Sequence, residues 1–138
     1  NLKRQTNYLL IIKNKIMNYA KDVLLSFTDG SSNSTDDAFV AKASDFLGME
    51  IAGTTTVKLS FRGGQDRDSV NTATLTVANL EAAHDGTGSN PSFRDISEVV
   101  GSLLNADRDK HFVVADQEAS TYVDSVFSGA VTVANAID

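Results

Sequence analysis

Cysteine is absent from all 138 residues, which excludes disulfide staples, thiolate metal sites and thiol nucleophiles together. It does not identify a compartment. Histidine is nearly absent too, with only His84 and His111. A catalytic triad would need a serine and an acid positioned on one of them, and no G-x-S-x-G elbow occurs. Tryptophan is missing and Pro91 is the only proline. The longest apolar run, YLLII at 8–12, is five residues, against the ~20 that a helical membrane span needs. That run is also too short for a signal-peptide core, and no small-residue cleavage site follows it. Neither phosphate-cradling glycine motif is present: there is no G-x-x-x-x-G-K-[ST], and no G-x-G-x-x-G opens a helix. Acidic and basic residues are unequal, 18 against 12, and no run of Lys or Arg makes a nucleic-acid patch.

The net charge of −6 is unevenly placed. Residues 1–16 hold Lys3, Arg4, Lys13 and Lys15 without an acid, so they carry +4 and the remainder carries −10. Such a body repels phosphate at long range and has no general attraction to anionic membranes. The segment 1–16 (NLKRQTNYLLIIKNKI) also differs in composition, lacking Gly and Ala and holding Ile11, Ile12 and Ile16. One reading takes it as upstream DNA translated in frame, with Met17 as the natural start. The other takes it as a short N-terminal helix, its apolar face extended by Ile16 and Tyr19, that packs on the body or on a neighbouring subunit. The division expected is therefore an extension at 1–16 and a single β-rich domain at 17–138.

In the body, residues 22–28 (DVLLSFT) alternate, with Val23, Leu25 and Phe27 on one face, and predict a strand. A polar loop at 29–37 follows. Residues 38–44 can form a second strand that continues through 45–53, where Leu47, Met49 and Ile51 share a face and Gly48 marks a bulge or bend. Residues 54–62 (TTTVKLSFR) alternate best, Val57, Leu59 and Phe61 against Lys58, Ser60 and Arg62. Residues 69–79 pair with them as a hairpin through Ala73, Leu75 and Val77. Residues 92–105 (SFRDISEVVGSLLN) predict the one clear helix. Phe93, Ile96, Val99, Val100, Leu103 and Leu104 recur at helical spacing; Ser92 and Asp95 form a capping box, and Asn105 suits a left-handed close. Gly101 in its last turn predicts close packing against a strand or helix. Short runs at 111–116, 122–127 and 130–134 complete four strands, a helix and three strands. The expectation is a mainly β fold with one helix: a small, bent antiparallel barrel whose open side the helix plugs.

Asp29, Ser31, Asn33, Thr35 and Asp37 place oxygen atoms at alternate positions, as a calcium loop does. Ser34 stands where that loop needs Gly and Val40 where it needs an acid, so a solvated hairpin loop explains the pattern better. Asn33-Ser34-Thr35 also spells a glycosylation sequon. The pairs Asp36/Asp37, Asp66/Asp68 and Asp107/Asp109 sit in turns, where exposed acids are ordinary.

Residues 57–63 (VKLSFRG), an alternating strand ending in Arg-Gly, resemble the second motif of the Sm and Lsm-like proteins. Residues 43–50 (ASDFLGME) are loosely similar to the first, in which an Asp precedes a Met and a polar residue. Glu50 stands where that family has Asn, and one residue is inserted between Asp45 and Met49. The resemblance implies a bent barrel that forms rings through strand edges and binds RNA, with Arg62 contacting a base and Gly63 making the tight turn beside it.

These readings lead to two expectations. The first is a non-enzymatic, self-assembling structural or interaction module without a cofactor, a homo-oligomer like the small accessory proteins of phage particles, cytoplasmic or in the virion. The second is the Sm-like RNA-binding ring. A metal-dependent enzyme using the aspartate loops is a third and weaker reading.

Overall fold

The computed structural model describes residues 22–30, 37–63, 69–77, 80, 91–107 and 109–134. The extension at 1–16, the possible start at Met17 and the loop residues 31–36 lie outside them. The fold is mainly β with one helix, as the periodicities predict. The barrel is not. Eight strands form two separate four-stranded sheets, ordered β2-β1-β6-β7 and β3-β4-β5-β8, and the sheets do not close on each other.

The first sheet is built on β1 (Leu24–Thr28). It pairs antiparallel with β2 (Ala38–Lys42), and the Asp29 N–H to Asp37 carbonyl bond at 2.8 Å closes that hairpin. Its other neighbour, β6 (His111–Asp116), runs parallel to it, with a slip in register at Ser26/Phe27. The two-residue β7 (Thr121–Tyr122) adds an edge. The second sheet is an antiparallel meander of β3 (Phe46–Gly53), β4 (Thr56–Arg62) and β5 (Val70–Val77), to which β8 (Phe127–Ala134) is added.

Period-two patterning explains why the faces meet. Leu25 and Phe27 of the first sheet, and Val57, Leu59, Phe61, Ala73, Leu75 and Val77 of the second, are all buried. Four phenylalanines join the two sheets: Phe61 lies 5.6 Å from Phe27, 6.0 Å from Phe39 and 5.5 Å from Phe46, between ring centroids. Such tilted and edge-on pairs add to the burial of the rings themselves.

The continuous strand expected over 38–53 is broken by a 3-10 turn, Ala43–Asp45, which carries the chain from the first sheet to the second. The bulge anticipated at Gly48 is present, because the register shifts between Phe46 and Gly48. It also reverses the expected facing of one residue. Phe46, not Leu47, opposes Phe61, while the extra Leu47 is exposed.

The helix α1 (Phe93–Leu104) has the predicted cap. The Ser92 hydroxyl accepts the Asp95 N–H at 3.1 Å and the Asp95 carboxylate accepts the Ser92 N–H at 2.9 Å. Ile96, Val100 and Leu103 enter the common core. Asn105 closes the helix with φ −103°, not in the left-handed region; its side-chain amide instead donates to the Gly101 carbonyl at 2.8 Å. The strand expected over 122–127 is mostly turn, and β8 starts earlier than expected, at Phe127.

Side chains tie the sheets along β8. The Gln117 side chain, from the β6–β7 turn, accepts the Val131 N–H at 2.9 Å, and the Tyr122 hydroxyl donates to the Gly129 carbonyl at 2.5 Å. Gly129 has φ +63°, a conformation that glycine adopts without the usual Cβ clash.

Candidate functional site

Three of the surface hollows are lined by described residues. The widest of these three, about 410 Å³, lies between α1 and the turn before β8, lined by Asp95, Glu98, Val99, Ser102, Leu103, Val123, Asp124 and Val126. Its three carboxylates invite a metal or an acid–base reading. Each is already engaged by its own element. Asp95 completes the helix cap, Glu98 pairs with Arg94 one helical turn away at 3.8 Å, and Asp124 accepts the Val126 N–H at 3.0 Å. Among the described residues no group of three His, Cys, Asp or Glu side chains could hold a metal ion.

A second hollow, about 310 Å³, lies on β3 along Leu47, Gly48, Met49, Glu50 and Ser60. Beside it the Lys58–Glu50 pair spans neighbouring strands at 3.5 Å. The third, about 240 Å³, separates β3 from α1 and is lined by Phe46, Met49, Phe93, Ser97, Val100, Gly101 and Leu104. None of its lining residues is charged. The close packing expected at Gly101 is not found: a Cβ there would meet nothing within 4 Å.

The sequence-predicted positions are scattered. Arg62 is exposed at the end of β4, and Gly63 is buried beside it. Gly63 closes the β4–β5 hairpin by donating its N–H to Ser69 at 2.8 Å. A Cβ on it would come within 2.8 Å of Asn71 Oδ1. The glycine therefore leaves the Asn71 side chain its place, an intramolecular reason for the Arg-Gly pattern. Of the calcium-loop candidates, Asp29 and Asp37 flank the base of the β1–β2 hairpin, and Asn33 lies outside the described residues. His84, Asp66 and Asp68 also lie outside them. His111 opens β6 as an exposed residue opposite Leu24. At the N-terminus of α1 the Ser92 and Asp95 N–H groups are taken by the capping box.

Sequence reasoning missed the outer face of the first sheet. Val40, Ser26 and Val113 form one cross-strand row over β2, β1 and β6, and Leu24 stands in the next row between Lys42 and His111. Leu24 is 38% exposed, Val40 57% and Val113 38%. The signal was available in adjacent apolar pairs, Leu24-Leu25, Phe39-Val40 and Val113-Val114, which place apolar side chains on both faces of a strand. Among the described residues no helix is long and apolar enough to cross a membrane. In comparisons with known proteins, no family model, no curated protein and no solved structure matches the chain.

Proposed function

We propose that the protein is a non-enzymatic structural or interaction module that assembles with copies of itself, as the small accessory proteins of phage particles do. The observation supporting this reading is the outer face of the first sheet. Three large aliphatic side chains, Leu24, Val40 and Val113, stand exposed on adjacent strands whose opposite face is already core. Exposed apolar residues are unremarkable singly, but grouped on a sheet face they mark a surface that gains by being covered. A homo-oligomer covers it with an identical patch. The three carboxylates of the hollow between α1 and β8 support the non-enzymatic part, since each serves a cap, a helix pair or a turn. Light scattering after size exclusion, at micromolar concentration, tests the proposal. The native chain should run above monomer mass and Val40→Lys should shift it down. A strict monomer would end this reading.

The alternative is an Sm-like ring protein that binds RNA. It is supported by the exposed position of Arg62 at the end of β4, and opposed by the acidic balance of the body. Salt-sensitive RNA retention that is lost in Arg62→Ala would favour it, and no shift with RNA at low salt would exclude it.

A further inference from the structure

The described residues form four edge strands, and three of them carry devices by which sheet edges avoid stray pairing. β7 is two residues long, and β2 is five residues ending in Lys42. β8 has side chains over its outward main-chain groups, Gln117 accepting the Val131 N–H and Tyr122 donating to the Gly129 carbonyl. Short length, lysine and a cover are all protections of this kind. β3 differs. Its eight residues include no proline, lysine or arginine, and its one charge, Glu50, pairs with Lys58 on β4. The hollow of about 310 Å³ lies along it from Leu47 to Glu50. We propose that β3 pairs antiparallel with β3 of a second copy, about a two-fold axis at Met49.

The direction of the main-chain groups supports such a partner. Bonding alternates along an antiparallel strand. Gly63 and Thr55 bond toward β5, so Ser60 and Lys58 turn toward β3, where they meet Gly48 and Glu50. The N–H and carbonyl groups of Met49 and Ile51 therefore point away from the sheet. Among the described residues nothing bonds them. The register shifts at Phe46/Gly48 and Ile51/Gly53 bracket this stretch and leave it regular. The side chains select a second copy as the strand that fits. With the axis at Met49, Leu47 of each copy stands opposite Ile51 of the other, and these residues are 51% and 43% exposed. Glu50 stands opposite Gly48, so the one charge on the strand does not face its own copy. An isologous contact needs this self-complementarity. The inference rests on the self-assembly reading only in taking a second copy as partner, and its edge is distinct from the outer face of the first sheet.

The cysteine-free chain makes the test direct. Met49→Cys is oxidised in the full chain and examined by non-reducing electrophoresis. Opposed Cα atoms of such a pair lie about 5.5 Å apart, within disulfide reach, so a covalent dimer is expected. Glu50→Cys stands two positions from its own counterpart in this register, beyond that reach, and should not cross-link. Cross-linking of Glu50→Cys in place of Met49→Cys would overturn the pairing. Light scattering then separates this edge from the sheet face. Two independent two-fold contacts build assemblies larger than a dimer, so the native chain should exceed dimer mass. Ile51→Pro removes an outward N–H and should leave a dimer held by the sheet face. Ile51→Lys should do the same without a change in the backbone. Native mass in both variants would overturn the β3 pairing while the sheet-face reading stands. A monomer in Ile51→Lys, with Val40→Lys still at native mass, would uphold the β3 pairing and remove the sheet-face reading.

Discussion

Replacing Phe61 by alanine should be the most damaging single truncation among the four clustered phenylalanines. Phe61 is fully buried and faces Phe27, Phe39 and Phe46 at centroid distances of 5.6, 6.0 and 5.5 Å. Phenylalanine-to-alanine changes in a core cost about 3–5 kcal/mol, and each ring pair adds about 0.5–1.5 kcal/mol beyond burial. Three lost pairs put Phe61→Ala toward the upper end, about 4–5 kcal/mol, a large part of the about 5–15 kcal/mol by which domains are stable. Phe46 is half-buried at the hollow between β3 and α1, so Phe46→Ala should cost about 2 kcal/mol. The two rings share one contact, so the double variant should cost less than the sum by about 0.5–1.5 kcal/mol. Urea unfolding followed by circular dichroism gives all three values at one protein concentration, with an unchanged slope as the check on two-state behaviour. A Phe61→Ala cost equal to that of Phe46→Ala, or strict additivity, would refute the idea that Phe61 is the hub joining the sheets.

Gln117→Leu should leave the half-buried Val131 N–H without its 2.9 Å acceptor, at a cost of about 1–2 kcal/mol. Amide exchange should quicken at Val131, while Gln117→Glu, which keeps an acceptor oxygen, should largely retain protection; unchanged exchange in Gln117→Leu would show that this bond does not hold β8. Gly63→Ala drives a methyl group to within 2.8 Å of the buried Asn71 side chain and should cost about 1–3 kcal/mol by overpacking. A melting temperature unaffected by that change would mean that Asn71 moves freely.

Much of the fold is legible because it is local. β4 and β5 declare themselves by alternation, and α1 by its cap and stripe. The missing parts are those that no window of sequence records. The parallel pairing of β1 with β6 depends on a segment far along the chain, so an all-antiparallel barrel looked equally consistent with the strand pattern. At Phe46-Leu47 a single extra residue reverses which side faces inward, and alternation alone cannot locate that residue. Residues 43–45 read as strand because their role, crossing between sheets, is set by tertiary packing. The hollows are less legible still. The acidic one needs α1 and the turn before β8 to meet, although the Asp95 cap is already legible in the sequence.

The parallel pairing also sets an order of events during folding. The second sheet grows mainly by hairpins, β3 to β4 to β5, whose ends are close in sequence and cheap to bring together. The first sheet cannot be finished that way: Ser26 and the Phe112 carbonyl it contacts are 86 positions apart. Contacts of that range form slowly, since loop closure comes before any gain from pairing. As the chain leaves the ribosome, β1 has β2 beside it long before β6 exists, leaving one side of β1 without its final partner. The aliphatic strand at the centre of the finished sheet thus spends most of synthesis as an edge. Conditions that slow elongation between residues 42 and 111 lengthen that interval, and with it the exposure of Leu25 and Phe27 to other chains.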